Sequence, residues 1–240
     1  KIKANDRVFQ KIKSIGSNIK DGKIDKAEFN KHFDFLKNHI RNRKLKDHQV
    51  KALHHLISVK NGANFSVPGS GKTTVVLCAY EKYRLEGDVN VLFVVGPPAC
   101  FGPWRDEFEK VLGRKPNYSI LAGGDRIERQ SEYYNSTNPC ELYLTTFQTL
   151  LNDHRDVAKF FSNHKINTYL VIDEAHYIKQ IDGNWAKSVL SIAKHSNFRC
   201  VLTGTPLPKS YSDLYNLFDF LWPNNEPISS NEKAQLSLFE

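Results

Sequence analysis

Methionine is missing from all 240 residues, position 1 included. Two readings follow. Either the sequence is an internal stretch of a longer chain, or its methionines were carried in a modified form and dropped, which shifts some spacings by one. Cysteine is scarce, with four residues at Cys78, Cys100, Cys140 and Cys200 and no C-x-x-C pair. That spacing argues against a zinc site and against a disulfide-dense secreted scaffold, so small buried thiols in a reducing compartment are expected. No run approaches the roughly 18 apolar residues of a membrane span. Lys1–Gln10 mixes Lys, Asp, Asn and Arg, which excludes a signal-peptide core.

Acidic residues are in short supply at one end only. Residues 1–46 hold 14 Lys and Arg against 5 Asp and Glu, whereas the rest hold 20 against 21. The whole excess behind the net charge of +8 therefore lies in the N-terminal segment. A basic patch beside a nearly neutral domain fits contact with a polyanion, and equally a solvated helical face. Apolar residues at 40% and charged residues at 25% are ordinary for a globular domain.

Three regions emerge. Residues 1–42 read as a basic helical extension, with Phe29, Phe33, Phe35, Leu36 and Ile40 near helical spacing. Residues 43–223 alternate apolar strand-like runs with amphipathic helical patterns, and 224–240 read as the start of a linker. Strands are predicted at Ala63–Val67, Val91–Val95, Tyr118–Leu121, Leu142–Thr146, Tyr169–Asp173 and Arg199–Thr203. Helices are predicted at Lys72–Leu85, Trp104–Leu112, Trp185–His195 and Ser212–Leu221, among others. Apolar strands separated by helices imply an α/β fold, a mainly parallel sheet with helices on both faces. Ligands of such sheets bind beyond the carboxyl ends of the strands.

Two polar motifs follow such ends. Ser66-Val67-Pro68-Gly69-Ser70-Gly71-Lys72-Thr73-Thr74 stands between a strand and a helix, the setting of a phosphate loop. Gly69 and Gly71 let the backbone curl so that N–H groups converge on one anion, aided by the helix N-terminus. Lys72 would reach the β- and γ-phosphates, and Thr73 would ligate Mg²⁺. Pro68, Ser70 and Thr74 complete the expected cradle, although Ser66 replaces the first glycine of the usual pattern. The second motif, Tyr169-Leu170-Val171-Ile172-Asp173-Glu174-Ala175-His176, is a buried-type strand ending in two carboxylates. Lying beside the first strand, it would bring Asp173 to the Mg²⁺ and let Glu174 deprotonate the attacking water.

With both motifs in order, the chain resembles the superfamily-two helicases, most closely the Swi/Snf-type DNA translocases. Asp173-Glu174-Ala175-His176-Tyr177-Ile178-Lys179 resembles their DEAH box. Leu202-Thr203-Gly204-Thr205-Pro206 and the segment Asp213–Leu221 resemble motif III and its following helix. Val94–Pro98 with Trp104 and Phe108 is similar to motif Ia, Leu144–Phe147 to a later DNA-contacting strand end, and Leu45–Gln49 to the element whose glutamine reads adenine. The Val67–Ser70 stretch looks closer to restriction and repair helicases than to chromatin remodellers.

The resemblance implies the first RecA-like lobe of an ATP-dependent DNA translocase or helicase, with ATP and Mg²⁺ as cofactors. It implies Gln49 at the adenine, His176, Thr203 and Thr205 as coupling residues, and Pro97, Pro98, Thr145 and Thr146 against the nucleic-acid backbone. The implied partners are duplex DNA and a second RecA-like lobe of the same parent chain, with no membrane. The expected location is the cytoplasm or nucleoid of a bacterium, or the nucleus of a eukaryote, and not outside the cell. Without the second lobe's arginine fingers, ATP binding with slow hydrolysis is expected. A nucleotide-gated DNA- or protein-binding adaptor without productive hydrolysis is the alternative, and another type of phosphoryl-transfer enzyme leaves Thr203–Pro206 unexplained. Two further patterns are set aside. Asp21–Glu28 imitates half of a calcium loop, but Ile19 falls on a ligand position without an oxygen. His54 and His55 lack acidic or cysteine partners for a metal.

Overall fold

The computed structural model describes residues 30, 33–34, 39–40, 43–135, 138–180, 183–204 and 214–223. The expected linker at 224–240, most of the 1–42 extension and Thr205 lie outside them. Of the extension, Ile40 is buried in the core and Phe33 packs against it.

In chain order the elements are α1 (Asp47–Val59), β1 (Gly62–Asn64), α2 (Lys72–Leu85), β2 (Val91–Val95), a 3-10 turn (Pro98–Cys100), α3 (Phe101–Leu112), β3 (Tyr118–Leu121), α4 (Arg126–Tyr134), β4 (Leu142–Thr145), α5 (Phe147–Phe161), β5 (Thr168–Ile172), a second 3-10 turn (Ala175–Ile178), α6 (Asn184–Ala193), β6 (Phe198–Leu202) and α7 (Tyr215–Leu221). The strands form one sheet in the order β1-β6-β5-β2-β4-β3, and every pair is parallel. This is the expected RecA-like α/β architecture.

Period-two alternation divides the core. Leu92 and Val94 of β2 face a cluster with Leu53 of α1, Tyr80 of α2 and Trp104 of α3. Val91, Phe93 and Val95 face the opposite cluster, built from Phe161 of α5, Val189 of α6 and Phe220 of α7. Both faces being covered, every residue of β2, β5 and β6 is buried, which is why those strands read as unbroken apolar runs.

Two sequence expectations are corrected here. β1 stops at Asn64 rather than Val67, because Asn64 Oδ1 accepts hydrogen bonds from the Ser66 N–H at 3.1 Å and the Ser66 hydroxyl at 2.7 Å. This side-chain turn lifts the chain off the sheet. The strand ending in Asp173 is also not beside β1, since β6 pairs with both β1 and β5. Two strand spacings, about 10 Å, therefore separate the lines of β1 and β5.

Buried polar networks lock the helices. Arg199 on β6 donates to the carbonyls of Ala193 (3.1 Å), Ser196 and Leu221 (3.0 and 3.2 Å), the last turns of α6 and α7. Burial lowers its pKa to about 10, so it remains charged at neutral pH among carbonyls that favour a cation. Asp153 of α5 is wholly buried and is paired by Arg129 of α4 at 2.6 and 3.1 Å. Arg129 also donates to the Gly124 carbonyl at 3.0 Å, which ties the β3–α4 connection to α5.

Removing Arg129 leaves the buried Asp153 carboxylate with only the more distant Arg126 at 3.9 Å and the Tyr133 hydroxyl at 3.3 Å, short of its main counter-charge. Arg129→Ala is expected to lower unfolding stability by about 3–5 kcal/mol, measured by urea denaturation. Adding Asp153→Asn should recover part of that loss; no recovery would mean that the charge is not its source.

Candidate functional site

Because the sheet is all parallel, its six strands end at one edge. The Phe65–Gly71 loop, the Gly96–Cys100 turn, Thr146, Asp173–Glu174 and Thr203–Gly204 all emerge there.

The loop after β1 closes on itself. Gly69 and Gly71 hold φ of +76° and +83°, a region open to glycine and strained for other residues. A Cβ on Gly71 would lie 2.2 Å from Gln49 Nε2. Lys72 opens α2, and its ammonium donates back to the Ser66 carbonyl at 3.1 Å and the Val67 carbonyl at 3.4 Å. The loop is thus wrapped around a cation at a helix N-terminus. Ser70 Oγ is buried there without a hydrogen-bond partner.

Gln49 is placed against this loop. Its Nε2 donates to the Ser70 carbonyl at 3.0 Å, and its Oε1 accepts from the Lys46 N–H at 3.0 Å. His48 Nε2 lies 3.1 Å from the same Ser70 carbonyl. In this arrangement Gln49 props the loop through its amide. On the other side, Pro68 rests on the end of β6: a Cβ on Gly204 would come within 2.7 Å of Pro68 Cγ. The Thr203 N–H also donates to the Asn64 carbonyl at 3.4 Å. Thr73 is half-buried at the start of α2, whereas Thr74 is wholly buried and its hydroxyl donates to Glu107 of α3.

Asp173 and Glu174 follow β5. Asp173 Oδ2 accepts the Trp104 indole N–H at 2.9 Å, and Oδ1 accepts the Glu174 N–H at 2.9 Å. Gly96, with no side chain, permits this approach; its Cβ would lie 3.1 Å from that of Asp173 and 2.9 Å from Cys100 Sγ. Burial raises the Asp173 pKa above the ordinary 3.8. The Trp104 and Glu174 donors and the Lys72 ammonium pull it back, and the Glu174 charge adds to the rise. Lys72 and Asp173 thus stand at the same sheet edge, on either side of the end of β6.

Glu174 adopts φ 53° and ψ 54°, a left-handed conformation costing a non-glycine residue about 1–2 kcal/mol. Strain of this kind gathers at functional sites. The kink turns Glu174 outward, where its Oε2 lies 3.2 Å from His176 Nδ1. His176 in turn stacks on Tyr177 at 4.4 Å.

Among the described residues, no group of three or more His, Cys, Asp or Glu is placed to hold a metal. The available donors are the Thr73 hydroxyl and the Asp173 carboxylate, both hard oxygens. A set this sparse suits Mg²⁺, which keeps its waters and takes substrate oxygens, rather than zinc or calcium. A buried carboxylate with a raised pKa is, moreover, one that gains from a nearby cation.

The residues expected to face nucleic acid divide. Pro98 is exposed, and Pro97 and Thr146 are half-buried at the same edge, with Thr146 capping α5 through the Thr149 N–H at 3.0 Å. Thr145 differs from the expectation. It is wholly buried, its hydroxyl donates to the Leu121 carbonyl at 2.8 Å and its carbonyl accepts from Gly96, so it braces β4 between its neighbours. Sequence reasoning missed the part played by α3. Trp104 and Glu107 reach Asp173 and Thr74 from 69 and 33 positions away, and no local pattern links such pairs.

Residues 48–231 match the family model of the SNF2-related domain. Helicase SWR1 of Mycosarcoma maydis is 34% identical over 172 residues, covering 68% of this chain and 9% of its own length. An uncharacterised ATP-dependent helicase of Mycoplasma genitalium is 30% identical over 173 residues, 72% of this chain and 15% of its own. The chain thus spans under a fifth of the length of these relatives. The SWI2/SNF2 ATPase core of Sulfolobus solfataricus, solved in complex with dsDNA, aligns with a TM-score of 0.63 at 24% identity. It covers 80% of this chain and 39% of that one, a likeness of fold. With its domain model running across most of the sequence, the chain belongs to the SNF2-related domain family.

Proposed function

We propose that this chain is the ATP-binding lobe of an ATP-dependent DNA translocase, with the nucleotide held between the Ser66–Thr74 loop and Asp173–Glu174. The observation that carries this reading is the glycine loop curled over Lys72 at a helix N-terminus, one strand end away from Asp173–Glu174 on the same sheet edge. A triphosphate has the charge to draw the Lys72 ammonium off the Ser66 and Val67 carbonyls. The orphaned Ser70 hydroxyl, together with the N–H groups of the first turn of α2, would then face anionic oxygens.

Thr73 and Asp173 are the residues that would hold Mg²⁺, which supplies charge neutralisation at the β- and γ-phosphates when bound. Glu174 is the proposed general base. Its left-handed backbone turns the carboxylate away from β5, and His176 at 3.2 Å holds it there. Thr203 and Gly204 end the strand that separates the two halves of the site, and Pro68 rests on Gly204. A shift of that strand end therefore bears on the loop, which supports Thr203 as a coupling residue. Pro97, Pro98 and Thr146 border the same edge and are the proposed backbone contacts to DNA, since exposed turns and short hydroxyls position a strand without reading its bases. DNA as the partner is supported by the Sulfolobus core, which was solved with it. Hydrolysis at full rate is proposed to require a second lobe of the parent chain.

Two outcomes test the reading in the full-length protein. Lys72→Ala is expected to abolish ATP binding, whereas Glu174→Gln should bind ATP normally and lose about 10²–10⁴-fold in turnover with duplex DNA present. Unchanged turnover in Glu174→Gln removes its assigned role. A pH dependence follows from Asp173. Protons compete with Mg²⁺ for a carboxyl of raised pKa, so Mg²⁺-dependent ATP affinity should weaken as pH falls, beyond the loss that protonation of the terminal phosphate near about pH 6 brings, while still above the ordinary Asp value of 3.8. Binding titrations from about pH 8 to about pH 4, run beside Mg²⁺ binding to ATP alone, check this; a fall no larger than that of ATP alone contradicts it.

A further inference from the structure

Helix α3 begins directly after the Gly96–Cys100 turn and packs against two motifs remote from it in sequence. Trp104 is wholly buried and donates its indole N–H to Asp173 Oδ2 at 2.9 Å. Three residues on, and so on the same helix face, Glu107 accepts from the Thr74 hydroxyl and pairs with Arg43 at 3.1 Å. One rigid element thus fixes both Asp173 and the first turn of α2.

The bond to Asp173 has a definite geometric effect. An aspartate carboxylate rotates about its terminal bond over a broad range. Here Oδ1 is tied to the Glu174 N–H, part of the same backbone turn, and Oδ2 is tied to Trp104, part of a different element. Two donors on two oxygens define the carboxylate plane, with the Cys100 thiol a further, weaker donor beside the same side chain. Gly96 offers no side chain to hold the carboxylate from its own side. The Trp104 bond is charge-assisted, which places it among the stronger hydrogen bonds.

We propose that Trp104 is a positioning residue for Asp173, setting the carboxylate plane beside the N-terminal end of α2 so that the Mg²⁺–nucleotide is held in one orientation. This rests on the reading of Asp173 as the residue that holds Mg²⁺, and adds the group that determines its geometry. Outer donors that orient a metal-holding carboxylate change metal affinity by about 10–100-fold when removed.

The test uses the full-length protein and a fluorescent N-methylanthraniloyl ATP as probe, read by anisotropy against Mg²⁺ concentration. Trp104→Phe keeps a buried ring and deletes the N–H. It is expected to raise the Mg²⁺ concentration at half-maximal binding by roughly tenfold or more, with affinity in excess chelator unchanged. Phe108→Leu disturbs the packing of the same helix without touching a donor and should leave that midpoint where it is. Equal midpoints in Trp104→Phe and wild type overturn the positioning role alone, as does an equal shift in Phe108→Leu. If Trp104→Phe does not fold, benzothienylalanine at position 104 retains the ring shape, lacks the N–H and should give the same shift. Probe binding by wild type that is absent, or indifferent to Mg²⁺, overturns the underlying reading of the site together with this one.

Discussion

An all-parallel sheet sends every strand end to one edge, and the structure of this lobe depends on which strands become neighbours there. β6 sits between β1 and β5, so the Gly69–Gly71 loop and the Asp173–Glu174 pair face each other across one intervening strand end. Two strand spacings, about 10 Å, separate the lines of the strands that carry them. Lys72 donates to the loop carbonyls, and burial holds the Asp173 carboxyl above its ordinary range.

The intervening strand is more than a spacer. Its end touches the loop through Gly204 and Pro68 and hydrogen-bonds β1 through Thr203, while Arg199 at its start gathers the last turns of α6 and α7. Asn216 of α7 donates to the carbonyls of Ile178 and Gln180, just past His176. The segment following the acidic pair and the helix following β6 are therefore held to one another. A displacement at either has a physical route to the other, through hydrogen bonds to buried backbone rather than through loose surface contacts.

Helix α3 plays the corresponding part on the opposite face of the sheet. Its helical pattern was legible over Trp104–Leu112, and Trp104 and Phe108 prove to be buried. What spacing did not reveal is that Trp104 spends its one polar atom on Asp173, or that Glu107 ends beside Thr74. Thr145 shows the converse. A short hydroxyl at a strand end reads as an available contact, yet the neighbouring strand β3 takes up its hydrogen bond and closes it off. In both cases the outcome depends on an element distant in sequence.

The sequence by itself determined the fold class, the positions of β2 and β3, the start and end of α2, and the residue types of the two motifs. Each of these rests on local causes: alternating or continuous apolar runs, glycines where positive φ is needed, and a lysine opening a helix. Tertiary structure alone decided strand order, the early stop of β1, the raised pKa of Asp173, the left-handed backbone of Glu174 and the donors that fix the site. Those follow from burial and from hydrogen bonds between segments tens of residues apart, and a linear pattern does not record which distant donor will meet a given acceptor once the sheet is assembled.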